Sequence, residues 1–208
     1  MEHAIRHDDA VPAVPGADEA ALVARLRAGD ADAFELLVRT NTNRLLWVAR
    51  RLMATDEDAR EVVQEAFIAA FRAIDRFKGD ARLATWLHRI TVNTALMKLR
   101  SQRRHPEEPI EPLLPAFLED GHHRERFQAW SEPAEDVIQR GADRALVRRM
   151  IMQLPEGYRT VLLLRDIEEI DTPEIATMMG ISPNAVKIRV HRARQALRTL
   201  LAPHFQRT

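Results

Sequence analysis

The sequence predicts an all-α protein: two small helical domains joined by a linker, the C-terminal one a helix-turn-helix, winged-helix-like but with no strands. Three observations predict this. Apolar residues recur at spacings of three and four along most of the chain, the period of helices with one buried face. Aromatic residues are 5% of the total and only seven of 208 residues are glycine, while 46% are hydrophobic, a balance that suits helices with a core better than sheets. Finally, Thr172 to Leu201, TPEIATMMGISPNAVKIRVHRARQALRTLL, reads as a short helix, a glycine turn and a capped basic helix.

In that stretch Thr172 is the expected N-cap and Pro173 the first helical residue, where a missing N–H costs nothing. Ile175, Ala176 and Met179 form an apolar stripe, and Gly180 ends the helix in the left-handed conformation that glycine tolerates. Ser182 caps the second helix, again followed by proline. Val186, Val190, Ala193, Leu197 and Leu200 make its buried face, and Asn184, Lys187, His191, Arg192, Gln195 and Arg198 point the other way. From Ile181 onward there are six Arg or Lys and no Asp or Glu. Such a helix suits insertion into a DNA major groove.

Residues 1–18 are rich in Ala, Pro and Asp and are expected to form a disordered tail. Helices are expected from Glu19 and from Asp30. Thr55-Asp56-Glu57-Asp58 is an acidic helix start, favourable against the positive end of the helix dipole. The helix that follows buries Val62, Val63, Ala66, Phe67, Ala70 and Ile74. A turn centred on Gly79 leads to a helix capped by Asp80. That helix has an apolar face of Leu83, Trp86, Leu87, Ile90 and Met97. A second stripe of Thr85, Arg89, Asn93, Leu96 and Arg100 is cationic and able to hydrogen-bond. Trp86 sits among leucines and isoleucine, which favours a core role over a stacking platform.

Residues 105–133 are proline-rich and acidic with little periodicity, and read as an inter-domain linker. Within it, Leu113 to Leu118 and Phe127 with Trp130 are too apolar for a simple tether, so part of it is expected to dock on a domain. His122 and His123 are adjacent, but no ligand spacing supports a metal site. A second helical unit is expected over 134–204. Net charge is zero, yet Trp86 to Arg104 holds five Lys or Arg and no acid, so the cations are concentrated. The absence of cysteine excludes disulfides and thiol catalysis and fits a cytoplasmic location. No run is apolar enough for membrane insertion.

Two stretches, Asp56 to Arg104 and Leu154 to Leu197, together resemble the sigma factors of the sigma-70 class, in particular the small extracytoplasmic-function (ECF) group. The resemblance implies that 19–104 is the region 2 domain, which binds core RNA polymerase and reads the −10 promoter element. It implies that 134–204 is the region 4 domain, which reads the −35 element. By position, Asp58, Glu61, Gln64, Glu65 and Phe67 would contact core polymerase. Lys78, Asp80 and Arg82 would belong to a loop that receives an extruded −10 base, with Thr85, Arg89, Asn93 and Arg100 on the helix facing that DNA. Ser182, Asn184, Ala185, Lys187, Arg189, Arg192 and Arg194 would serve the −35 element. Met97 stands where the family commonly has an acid, and Ile188 where it usually has a small polar residue.

The function expected from this resemblance is a promoter-specificity subunit that binds core RNA polymerase and promoter DNA, promotes melting and is held by an anti-sigma factor. No cofactor is expected. No phosphate-binding glycine loop, HExxH or nucleophile motif points to an enzyme. Two alternatives stand beside it: a sigma-like decoy that binds an anti-sigma protein, and a dimeric helix-turn-helix repressor. The second leaves Asp56 to Arg104 without a purpose.

Overall fold

The computed structural model describes residues 16–102, 109–115 and 141–205. The expected tail lies outside them up to residue 15, as do Leu118, His122, His123, Phe127, Trp130, Val137 and Ile138. The chain divides into two compact units, Met1–Gln102 and Arg103–Thr208. All regular structure among the described residues is helical, and no helix among them is long and apolar enough to cross a membrane.

The N-terminal unit holds α1 (Gly16–Arg27), α2 (Ala31–Leu52), α3 (Asp56–Ala73), a 3-10 turn at Ile74–Arg76, and α4 (Leu83–Gln102). Helices α2, α3 and α4 pack on one another, and α1 lies against α2 and the 3-10 turn. Leu45 and Leu52 of α2, Val62 and Ala66 of α3, and Leu87 and Val92 of α4 are fully or almost fully buried between them. Gly29 turns α1 into α2 at φ 76°, a conformation a Cβ would strain. Asp30 then caps α2, its carboxylate accepting the N–H groups of Asp32 and Ala33 and pairing with Arg25 at 2.7 Å. Thr55 caps α3, accepting the Asp58 N–H at 3.0 Å and donating its hydroxyl to the Asp58 carboxylate. Lys98 of α4 reaches back to Asp58 and Glu61, bracing α4 against the start of α3.

Helix α4 departs from expectation twice. It begins at Leu83, and the Leu83 N–H donates to the Glu19 carboxylate of α1 at 3.0 Å. Asp80 was expected to cap it, but a partner 64 residues upstream is invisible to local pattern. The second departure is a swap: Leu96, expected on the polar stripe, is buried, and Met97, expected on the apolar face, is 65% exposed. Leu96 follows buried Val92 by one turn and precedes buried Leu99, whereas Met97 continues the line from exposed Asn93 to exposed Arg100. Because α4 packs on both α2 and α3, its buried arc is wider than a single-stripe reading allows.

The C-terminal unit comprises a short strap at 109–115, α5 (Gly141–Met152), α6 (Glu156–Leu162), a wide π-type turn over Leu163–Ile167, α7 (Thr172–Met179) and α8 (Pro183–Phe205). Val186, Ala193 and Ala196 of α8 are fully buried against α6 and α7 together with Val161 and Ile175. Leu197 and Leu200 are only half-buried. Helix α7 is capped by Asp171 rather than Thr172: the Asp171 carboxylate accepts the Glu174 N–H at 2.7 Å. Thr172 becomes the first helical residue and Pro173 the second, where proline's missing donor is equally harmless. Gly180 closes α7 at φ 67°, and the Ser182 hydroxyl accepts the Ala185 N–H at 3.1 Å to start α8.

The strap is part of this unit. Ile110 is fully buried in a cluster with Leu154, Leu162, Ala193 and Ala196, and Leu113 and Leu114 pack against the same cluster. The alanines of α8 leave room for the isoleucine. Burying it contributes roughly 2–3 kcal/mol of transfer free energy.

Two predictions follow from local geometry. Glu169, between the π-type turn and α7, holds φ 56°, where a Cβ is strained. Glu169→Gly is expected to stabilise the C-terminal unit by roughly 0.5–1 kcal/mol in urea unfolding; a loss of stability would show that the side chain's contacts outweigh the strain. The Asp30 carboxyl is held below the ordinary range, chiefly by Arg25 and then by the Ala33 N–H. The Asp58 carboxyl is lowered by the Thr55 hydroxyl and then by Lys98. Depressed folded values mean that the unfolded state binds more protons, so this stabilisation is present above the unfolded carboxylate value of about 3.9 and is lost as pH falls through the folded values. Acid unfolding followed by circular dichroism should begin at higher pH in Asp30→Asn than in the parent chain.

Candidate nucleic-acid interface

The first group of predicted residues lies on α3. Asp58 is half-buried and committed to Thr55, Lys98 and Gln102, and Glu61 to Lys98. Gln64 and Phe67 instead line an open apolar groove between α2 and α3, with Val38, Leu46, Val63 and Ile68. Glu65 is exposed and lies outside the residues that line the groove. Beyond the groove, Phe71 is 55% exposed and its ring lies 4.5 Å from that of Phe34. Ile68 and Phe71 are apolar groups that sequence reasoning passed over. The signal was present: Ile68 and Phe71 fall off the Val62–Ala66–Ala70 burial line.

The second group is the loop before α4 and α4 itself. Lys78, Asp80 and Arg82 are exposed around Gly79, which turns at φ 80°. Both ends of this loop are tied to α1. At the entry, the Phe77 carbonyl accepts a hydrogen bond from Arg27. At the exit, the Leu83 N–H is held by Glu19. Phe77 is buried and packs its ring at 5.2 Å on that of Trp86. With that contact Trp86 is half-buried, so the core role expected of it is met only in part. Arg44 of α2 adds a hydrogen bond to the Ala84 carbonyl at 3.2 Å. On α4, Thr85, Arg89, Asn93 and Arg100 are all exposed, and Met97 lies in the same stripe. The stripe therefore mixes cations, amide and hydroxyl groups with one exposed thioether.

The third group lies on α8 and the turn before it. Ser182, Asn184 and Lys187 are exposed, and Ala185 is partly buried. The Ser182 hydroxyl is already used as the helix cap. Ile188, 48% exposed, and His191 share the open side with Lys187. Arg189 sits 5.8 Å from the centre of the Tyr158 ring, within cation–π range. Two further arginines are paired within the unit. Arg194 makes a two-pronged contact with Asp166 at 2.6 and 2.9 Å, which raises its already high pKa. Arg192 meets Glu111 of the strap at 3.3 Å. The helix thus offers amide, ammonium and imidazole groups at one end and, further along, guanidinium groups of which two are paired with carboxylates. Amide and ammonium groups can address base edges, and guanidinium groups can neutralise phosphates.

No group of three His, Asp or Glu among the described residues could hold a metal ion. His122 and His123 lie outside them.

The chain matches two family models: sigma-70 region 2 over residues 37–105 and sigma-70 region 4 over residues 144–197. It is 37% identical over 183 residues to the RNA polymerase sigma-H factor of Pseudomonas aeruginosa, covering 88% of this chain and 93% of that one. It is 36% identical over 187 residues to the ECF RNA polymerase sigma-E factor of Escherichia coli, covering 89% and 95%. Among solved structures it resembles CnrH in complex with the cytosolic domain of CnrY, at 28% identity and TM-score 0.52, covering 89% of this chain and 97% of that one. It also shares its fold with the sigma factor RpoE of Bartonella quintana, at 23% identity and TM-score 0.53, covering 81% and 96%. The chain belongs to the sigma-70 family, in its ECF group, and is a sigma factor: a promoter-specificity subunit for transcription initiation and not an enzyme.

Proposed function

We propose that this sigma factor works in the cytoplasm by binding core RNA polymerase through its N-terminal unit and reading promoter DNA with both units. The observation that carries the reading is the pairing of two surfaces. One is α4, with its exposed Arg89, Asn93 and Arg100 beside a braced loop; the other is α8, with Lys187 and His191 on the open side of a capped helix-turn-helix. In this reading 19–104 is the region 2 domain and 134–204 the region 4 domain.

Gln64 and Phe67, with the groove they line, supply the apolar part of the polymerase contact. Asp58, Glu61 and Glu65 supply its acidic edge. Lys78, Asp80 and Arg82 frame a flipped −10 base, while Thr85, Arg89, Asn93 and Arg100 follow its backbone and neighbours. Melting a duplex requires a base to be extruded and then held. A loop tied at both ends suits that task because little order must be imposed when the base arrives. On the −35 side, Asn184 and Lys187 read base edges. Ser182 and Ala185 bring the backbone of the helix start to the DNA, and Arg189, Arg192 and Arg194 face phosphates. An anti-sigma factor is the further partner proposed; CnrH was solved with the cytosolic domain of CnrY, and RpoE of Bartonella quintana with the anti-sigma factor NepR.

Run-off transcription with core polymerase over a pool of promoter fragments tests the whole reading, with start sites at a shared −10/−35 motif expected. A repressor would not co-elute with core polymerase, and a decoy would yield no transcript. Within that assay, Lys187→Ala should reduce promoter occupancy by about fivefold or more, the scale of one lost base contact. Ile68→Asp, a surface change in the α2–α3 groove, should weaken co-elution with core polymerase while circular dichroism stays unchanged. Normal co-elution of that variant would move the polymerase contact elsewhere.

A further inference from the structure

The strap is held too firmly to be only a tether. Ile110 is fully buried among Leu154, Leu162, Ala193 and Ala196. The next residues close a 3-10 turn, Leu113 N–H to the Ile110 carbonyl at 2.9 Å and Leu114 N–H to the Glu111 carbonyl at 3.1 Å, with Pro112 inside it. The backbone of Glu111 is therefore fixed on both sides. Its side chain remains largely exposed and meets Arg192 at 3.3 Å.

Arg192 lies one residue after His191 and one turn beyond Ile188, both exposed on the open side of α8. A phosphate approaching Arg192 meets the Glu111 carboxylate already there. Two anions cannot share the guanidinium at no cost, and the carboxylate also repels a phosphate that stops short of contact. An ion pair this exposed adds little to stability. Its effect falls on what else can bind.

We propose that Glu111 is an electrostatic gate on α8. Pinned by Ile110, it occupies Arg192 and lowers the affinity of the helix for DNA phosphates irrespective of sequence. Base contacts from Lys187 and its neighbours then decide a larger share of binding, while the ratio of specific to non-specific affinity is unchanged and the helix leaves any duplex more readily. This rests on the reading of α8 as the DNA-contacting helix.

The test is fluorescence anisotropy of the full chain with a labelled mixed-sequence duplex, between about 50 and 200 mM salt. Glu111→Gln is expected to tighten binding about two- to fivefold and to steepen the salt dependence by about 0.9 in log–log slope, one extra phosphate neutralised. In an Arg192→Ala background the same substitution should do neither, because the gate acts through that arginine. Unchanged affinity and slope in Glu111→Gln, or an equal shift with and without Arg192, overturns the proposal. Lys187→Ala, measured on a duplex that carries the −35 motif found by run-off transcription, separates the two levels of failure. If it weakens binding while Glu111→Gln has no effect, only the gate is lost. If it too leaves binding unaltered, the reading of α8 falls and the gate with it.

Discussion

The C-terminal unit depends on one packing constraint: α8 must be dry along one side to be wet along the other. Val186, Val190, Ala193 and Ala196 form a line of small and medium apolar groups, all buried. Their size lets α6, α7 and the strap approach closely. With that side fixed, the azimuth of the helix is fixed, and Lys187, Ile188 and His191 have only one direction to face. The caps at Asp171 and Ser182 and the left-handed Gly180 set the angle at which α8 leaves α7. The functional surface is thus the remainder left when the core is satisfied, which is why its chemistry can vary without altering the fold.

The N-terminal unit reaches a similar end by different means. Its proposed DNA loop has no core of its own and borrows order from α1, through Arg27 at one end and Glu19 at the other. Lys98 connects the start of α3 to α4 and so links the acidic residues proposed to meet polymerase with the helix proposed to meet DNA. The same lysine means that Asp58 and Glu61 would meet polymerase with part of their charge already paired, whereas the groove lined by Gln64 and Phe67 is mainly apolar. Removing a cation from a carboxylate pair before docking costs part of what docking gains.

Much of this was legible in the sequence because the signals were local. Gly180, Ser182 and Pro183 announce the turn and the start of α8, and the spacing of Val186, Val190 and Ala193 gives its buried side. The exposed polar stripe on α4 was read correctly at Thr85, Arg89, Asn93 and Arg100. What escaped was non-local or competitive. Leu96 and Met97 were exchanged because α4 packs on two helices rather than one. The cap of α7 fell on Asp171 because two adjacent residues could both serve, and sequence does not rank them securely. The Glu19 contact with Leu83 and the Glu111 contact with Arg192 join residues 64 and 81 positions apart, beyond any periodicity.

The hydrogen bond from Leu83 to Glu19 has an implication for how the two ends of this unit change together. A helix normally carries its own start signal, so a point change elsewhere leaves its boundary alone. Here the first amide of α4 is looked after by a side chain on α1. Position 19 and the first turn of α4 are therefore coupled across three helices. A variant that shortens α1 must either supply a new local acceptor beside residue 83 or accept a frayed first turn next to the loop proposed to hold the −10 base.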